Sequence, residues 1–223
     1  MPVTAPSIKN VDSSFLTAQV RQWAQRFENK QAAAPVSWVQ IGGLALTSVH
    51  KRNLEELEQM DDELMQAFGL LLKQEFRFLA ENCFQPVAQA TFGTAYDLIE
   101  GPAMQFLLLP GHWVLSSRLA GAVYVYDSGN PENVPNSFTA TKQLRELYGN
   151  HGYEVRSPQQ QTGGVQCGDF AAATAFDVCS VFAGNMDAGQ LSQKIDQANL
   201  RQWVLDCIQN RKLVRAPRFV PQS

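Results

Sequence analysis

Three absences narrow the class of this chain. No apolar run approaches the roughly 18 residues needed to cross a bilayer, and the longest candidate, "FLLLP", stops at Pro110. No excess of positive charge is present: 18 Lys and Arg face 21 Asp and Glu, for a formal net charge of −3. That balance argues against nucleic acid or an anionic membrane as a broad partner. Cysteine is sparse and histidine sparser. Cys83, Cys167, Cys179 and Cys207 form no C-x-x-C pair, and none has a histidine at zinc-finger spacing. No metal or organic cofactor is implied. The opening "MPVTAPSIKNVDSS" has no basic stretch followed by an apolar core. The expectation is therefore an intracellular protein, nuclear or cytoplasmic and not secreted, with reduced thiols.

No internal repeat, low-complexity run or Pro/Gly-rich linker divides the sequence, so it reads as a single α/β or α+β domain. Leu16, Val20, Trp23 and Phe27 predict an amphipathic helix over 13–30, taken as an appended arm covering residues 1–35. Residues 36–48 read as extended chain broken by Gly42-Gly43, and His50 falls in a polar turn, "SVHKRN". "NLEELEQMDDELMQAFGLLLKQEF" reads as a short helix, a break near Asp61 and Asp62, then a longer helix capped by one of those acids. "QFLLLP" predicts a buried strand, and "HWVLSS" with "AVYVYDS" a hairpin around "RLAG". Pro131 and Pro135 mark a loop, 137–148 a helix and "GYEVRS" a further strand. Helices follow at 168–182 and 197–210, the last with a core stripe through Leu200, Trp203, Val204, Cys207 and Ile208. The domain is expected over 36–215, with a tail over 216–223.

One stretch does not read as scaffold. "QTGGVQCGDF" sets Cys167 between glycines at a turn, directly before a helix-like run. A thiol at a helix N-terminus meets unpaired N–H groups and the positive end of the helix dipole, which favour the nucleophilic thiolate. Cys83, Cys179 and Cys207 read as small core hydrophobes. All three histidines, His50, His112 and His151, precede Cys167. His112 opens one hairpin strand and Asp127 ends the other, so the hairpin can set them side by side. An acid beside a histidine fixes the ring tautomer and stabilises imidazolium. Gln161, six residues before Cys167, can offer an amide N–H next to the Cys167 backbone N–H as an oxyanion site.

Other cysteine and loop chemistries fit less well. The sixth residue after Cys167 is Ala173 where a tyrosine-phosphatase loop needs Arg. No histidine follows residue 151, against the papain order of base after nucleophile, and Gly163-Gly164 lead to Val165-Gln166 where a phosphate loop needs Lys then Ser or Thr.

The order His, Asp, Gln, Cys in "GHWVL", "VYVYDSG" and "QQQTGGVQCGDF" resembles the ubiquitin-like-protein cysteine proteases, the SUMO-deconjugating family and its adenain-type viral relatives. "LEELEQMDDELMQAFGLLL" is similar to that family's upstream "L..L....WLND..I..F...L" segment. "DQANLRQWVLDCIQNRKL" resembles the last helix of members encoded by mobile elements. The likeness spans roughly residues 45–215. It implies a papain-like-clan fold: a central mixed sheet flanked by helices, with the nucleophile at the N-terminus of a core helix. It also implies His112 as base, Asp127 as orienting acid, Gln161 as oxyanion donor and Cys167 as nucleophile. Trp113, Gln59, Asp62 and Gly164 would contact the substrate, Trp113 walling a groove for a Gly-Gly tail. The implied partner is a ubiquitin-like protein or its conjugates, met by a monomer. Three positions depart from the pattern: Gln59 replaces a tryptophan, Gln166 an aspartate, and Asp169 an apolar residue.

The leading expectation is thus a thiol (iso)peptidase cutting after a Gly-Gly-like tail. A maturation protease for a viral or mobile-element polyprotein, acyl transfer on the same scaffold, and a catalytically weakened module that only binds ubiquitin-like proteins are the alternatives. An accidental motif match is the plain one.

Overall fold

A computed structural model describes residues 35–86, 96–129, 138–157 and 159–220. The helix expected over 13–30 and the loop at Pro131 and Pro135 lie outside them. One compact unit begins at Ser37. The break at Gly42-Gly43 is a hairpin turn between β1 (Ser37–Ile41) and β2 (Leu44–Thr47), with both glycines at positive φ, 54° and 90°.

Helix α1 (Ser48–Glu55) starts earlier than its apolar pattern suggests, and His50 lies inside it instead of in a turn. The cause is a cap. Thr47 precedes the helix in extended geometry, and its backbone N–H donates to His50 Nδ1 at 2.9 Å. The chain then breaks. Leu57 takes a left-handed φ of 56°, and the segment after it stays non-helical up to Asp61. Asp61 Oδ1 accepts from the Leu64 N–H at 2.8 Å and starts α2 (Asp62–Glu75), whose Leu64, Met65, Phe68, Leu71 and Leu72 are buried.

The main sheet has four strands in the order β3 (Met104–Leu109), β4 (His112–Ser117), β5 (Val123–Tyr126), β6 (Tyr153–Arg156). The first two pairings are antiparallel and β5–β6 is parallel, so the sheet is mixed. The parallel pair needs a crossover, which includes α3 (Phe138–Tyr148). β3 and β4 are buried almost residue by residue, as in strands covered on both faces. α4 (Cys167–Phe182) packs on β4 and α3 packs on β3, with the Tyr148 and Ser116 hydroxyls 2.9 Å apart.

Helix α4 is apolar nearly all round and buried for most of its length, the pattern of a helix inside a core. Against it lie α2 and α5 (Gln197–Asn210), whose Leu200, Trp203, Val204, Cys207 and Ile208 are all buried. Gly168 permits the close approach of α2's leading segment. A Cβ there would come within 3.1 Å of both Met60 Cβ and Met65 Sδ. The segment expected as a tail from 216 runs back along the domain: Arg218 bridges Ile195 and its guanidinium bonds Asp177 on α4. The chain is a mixed α/β fold with helices flanking a mixed sheet and Cys167 at the head of the central helix.

Candidate active site

The hairpin turn Pro110-Gly111 delivers the first site residue. Proline fixes φ, Gly111 takes φ 71°, and the chain reverses so that Leu109 pairs with His112. β4 and β5 pair with Leu115 opposite Tyr126. Carried back toward the start of β4, that register sets His112 across from Gly129 and places Asp127 on the diagonal. His112 Nε2 lies 2.5 Å from Asp127 Oδ1. Asp127 is 1 % exposed, and its Oδ1 also accepts from the Gly129 N–H at 2.7 Å. Since Nε2 faces the carboxylate, Nδ1 is the ring nitrogen left for Cys167.

Cys167 is the first residue of α4 and is fully buried. Burial alone would raise its thiol. Hydrogen bonds from His112 and the Trp113 backbone N–H, the His112 charge and the Gln59 amide outweigh it and bring Cys167 below the ordinary thiol value. The same contacts, led by Asp127 and then Cys167, lift His112 to about 9 against the desolvation of the ring. Both shifts move the pair toward thiolate and imidazolium. Burial raises Cys83, Cys179 and Cys207 instead, Cys207 to about 11. One thiol of the four is built to ionise.

The loop before Cys167 is fixed from two sides. Gln161 accepts from Ser128 Oγ at 2.8 Å, and its own amide donates to Gly163 O at 2.8 Å. Gln197, the first residue of α5, binds Thr162 and Gln166 through both ends of its amide. Gln166, where the resembled family has an acid, thus finds a neutral partner. Gly163 takes φ 94°, and Gly164 beside it is exposed.

The remaining expected residues divide. Trp113 is 1 % exposed and its indole N–H donates to Met60 O at 2.8 Å. It lies beneath the Gln59–Met60 segment and presents almost nothing to solvent. Gln59 Nε2 donates to Gly111 O at 3.1 Å and stands 3.5 Å from Cys167 Sγ. Asp62 opens α2 one residue after the cap, and no contact carries it to the thiol. His112, Asp127, Cys167 and Gln59 meet at one point, and Gln161 braces the adjoining loop.

Two contributors escaped the sequence reading. Arg201 on α5 is buried, and its guanidinium donates to Asp169 Oδ2 at 3.0 Å, Glu58 O at 2.7 Å and Val165 O at 3.3 Å. It ties the residue before Gln59 and the loop before Cys167 to the first turn of α4. An acid directly after Cys-Gly was the available signal, because a buried carboxylate calls for a cation. Burial pushes Asp169 up to about 7 while Arg201 works against it. Gly129 is the second. A Cβ there would sit 2.8 Å from His112 Cε1 and 3.2 Å from Asp127 Oδ1.

Among the described residues, one cluster has metal-ligand chemistry: His50, Asp61 and Glu63, with ligand atoms within 4.8 Å of one another. Its groups are already occupied. The Thr47 N–H makes His50 Nδ1 an acceptor, so Nε2 carries the hydrogen and donates to Glu63 at 3.3 Å. Asp61 caps α2. The cluster joins α1 to α2.

No family model and no curated protein matches the sequence. Solved structures do. The C-terminal Ulp1 protease domain in complex with Smt3, the yeast ortholog of SUMO, superposes with a TM-score of 0.54 at 12 % identity, covering 83 % of this chain and 93 % of that one. The SUMO protease Ulp1 with its catalytic cysteine oxidised to a sulfonic acid gives 0.56 at 12 % identity, over 84 % and 94 %. The Ulp1-like SUMO protease catalytic domain of Chaetomium thermophilum gives 0.50 at 14 % identity, over 86 % and 89 %. At such identities the likeness is one of architecture: the chain has the fold of the Ulp1-type SUMO protease catalytic domains.

Proposed function

We propose that this chain is a cysteine-type peptidase or isopeptidase that cuts after the Gly-Gly-like tail of a ubiquitin-like protein. The observation that carries the reading is the line from Asp127 through His112 to Cys167. The buried carboxylate holds the ring at 2.5 Å, and the ring faces the one thiol brought below its ordinary range. Cys167 Sγ attacks the carbonyl carbon of the tail's last glycine, forming a C–S bond and an oxyanion. The oxyanion is met by the Cys167 backbone N–H and by Gln161, whose amide has a second N–H besides the one given to Gly163 O. The oxyanion collapses, the C–N bond breaks, and the His112 proton passes to the leaving amine. Water then gives a proton to His112 and its oxygen to the thioester, releasing the acid and restoring the thiolate.

The cover over the thiol supports a slender tail: Cys167 is fully buried, and the Gln59 amide bonds Gly111 O beside its sulfur, so bulky side chains on a substrate would meet that contact. The fold supports the same class, since one structure of similar architecture is held in complex with Smt3. In this reading the catalytic unit of an intracellular monomer begins at residue 36 and runs past 215, because Ala216 is buried and Arg218 bonds Asp177, and residues 1–35 form an arm. No described helix is long and apolar enough to cross a membrane.

The test is mass spectrometry of the protein after incubation with vinyl-sulfone derivatives of ubiquitin and of SUMO-type proteins, wild type beside Cys167→Ala. The expected result is a covalent adduct on Cys167 with one class of probe and none on the variant. No adduct with any probe, while iodoacetamide still labels Cys167, would sink the ubiquitin-like substrate.

A further inference from the structure

Gln59 stands where the resembled family carries a tryptophan, and its amide has two N–H donors where an indole has one. Its amide donates to Gly111 O at 3.1 Å and lies 3.5 Å from Cys167 Sγ. Gly111 O can only accept, so the NH2 end of the amide faces it, and the orientation of the group is settled by its partner. The NH2 group carries two hydrogens. One goes to Gly111 O, and the other is directed at the sulfur.

We propose that Gln59 is a catalytic hydrogen-bond donor of this site, holding the Cys167 thiolate through one N–H and passing that N–H to the oxygen of the attacked carbonyl. The proposal rests on the peptidase reading for its second half and on geometry alone for its first. As the C–S bond forms, the negative charge leaves sulfur for an oxygen on the carbon just bonded to it. A donor anchored beside Sγ is within a small side-chain adjustment of that oxygen. Oxyanion donors act at about 2.7–3.1 Å. Gln161, by comparison, spends one N–H on Gly163 O and braces its carbonyl against Ser128.

The placement is built. Leu57, with φ 56°, turns the chain out of α1 ahead of Gln59, whose amide then meets Gly111 O. Trp113 fixes Met60 O from below, and Arg201 fixes Glu58 O from the side. The residues on both sides of Gln59 are therefore pinned through their carbonyls by buried donors. The same guanidinium holds Val165 O and Asp169, on the loop and helix that present Cys167. Two departures from the resembled family, Gln59 and Asp169, thus belong to one assembly. The acid anchors the arginine, and the arginine sets the amide.

The experiment compares wild type with Gln59→Leu, which keeps the volume over the thiol and removes the donor. Gln59→Met serves as second variant if the first loses its fold by circular dichroism. Two quantities are read: the pH dependence of Cys167 alkylation by iodoacetamide, and the affinity of a Gly-Gly peptide aldehyde, whose hemithioacetal places an oxygen where the oxyanion forms. The expected result is an alkylation profile displaced to higher pH and an aldehyde bound about tenfold more weakly or worse. An unchanged profile together with unchanged aldehyde affinity would overturn the proposal. Faster alkylation at an unchanged midpoint would overturn it too, by showing that Gln59 only covers the thiol. The alkylation titration needs no substrate. It decides the hold of Gln59 on the thiolate even where no ubiquitin-like probe reacts, so failure of the peptidase reading and failure of this one give different results.

Discussion

His112 and Asp127 meet on the diagonal of the β4–β5 pair, Nε2 to Oδ1 at 2.5 Å, with the carboxylate 1 % exposed and the ring at the edge of the groove. A buried acid behind a half-buried ring makes the ring a strong base that substrate can still approach. The acid also decides which nitrogen is left for the thiol.

That relationship sets the pH behaviour. His112 rises from its ordinary 6.5 to about 9, first through the Asp127 hydrogen bond and then through Cys167, while Cys167 lies below its ordinary range. In the proposed reading the working pair is thiolate with imidazolium. Activity should therefore rise through an acid limb where Cys167 loses its proton and fall along an alkaline limb near 9 where His112 loses its own. The folded-state value of His112 is raised, so its contribution to stability is complete below about 6.5 and is lost as pH climbs through about 9. Asp127→Asn should move the alkaline limb toward neutrality and lower kcat on the order of a hundredfold, within the range for general acid–base catalysis. A pH–rate profile with the alkaline limb unmoved in Asp127→Asn would contradict the assignment.

Gly129 gives a test of geometry that leaves the chemistry in place. It lies outside the left-handed region, so Gly129→Ala carries no backbone strain of that kind. The new Cβ, however, would sit 2.8 Å from His112 Cε1 and 3.0 Å from Nε2. The ring has an open side and should shift toward the groove. A displacement of about 1 Å can cost roughly a hundredfold in rate. The expected outcome is a loss of at least about tenfold in kcat with a melting temperature close to wild type. Full activity in the variant would show that the ring position is loosely set.

The four cysteines should separate in a single labelling experiment. Cys167 is the only one brought below its ordinary value; burial raises Cys83, Cys179 and Cys207. Brief treatment with iodoacetamide at pH 7, followed by peptide mapping, should find label on Cys167 first, and His112→Ala should slow that label most. Because Cys167 is fully buried, its labelling also reports opening of the Gln59 cover. Equal labelling of all four thiols would deny the site its special thiol.

Much of this was legible in the sequence, for a physical reason. The strands β3 to β6, the helices α3 to α5 and the turn before Cys167 are set by local signals: apolar runs, helical stripes, glycines and prolines. The candidate site residues His112, Asp127 and Cys167 stand at or beside the ends of those elements, where the hairpin meets the head of α4. What the sequence hid is long-range or counter to pattern. Gln59 and Cys167 are 108 positions apart, and no periodicity links them. His50 looked like part of a turn because "SVHKRN" is polar, yet its ring closes the cap of α1. Arg201 sits one residue from Leu200 on an apolar helix, where an arginine reads as surface. Its partners, the buried Asp169 and the Glu58 and Val165 carbonyls, explain it.

That buried pair yields the last prediction. Arg201 is 4 % exposed and Asp169 is fully buried. Arg201→Met removes the cation and leaves both Asp169 and the Glu58 and Val165 carbonyls without their donor. Breaking one side of a buried ion pair costs about 3–5 kcal/mol, so the single variant should melt well below wild type. Arg201→Met combined with Asp169→Leu replaces the pair with apolar side chains of fitting size, a change that is often neutral for stability. The double variant should recover most of the melting temperature. It should not recover activity, because the pinned carbonyls flanking Gln59 and preceding Cys167 stay released. Thermal melts beside kcat measurements on the three proteins decide it. Recovery of both quantities together would make the arginine a matter of stability alone, and loss of activity in a protein that melts like wild type would make it a positioning residue for the two loops that frame the thiol.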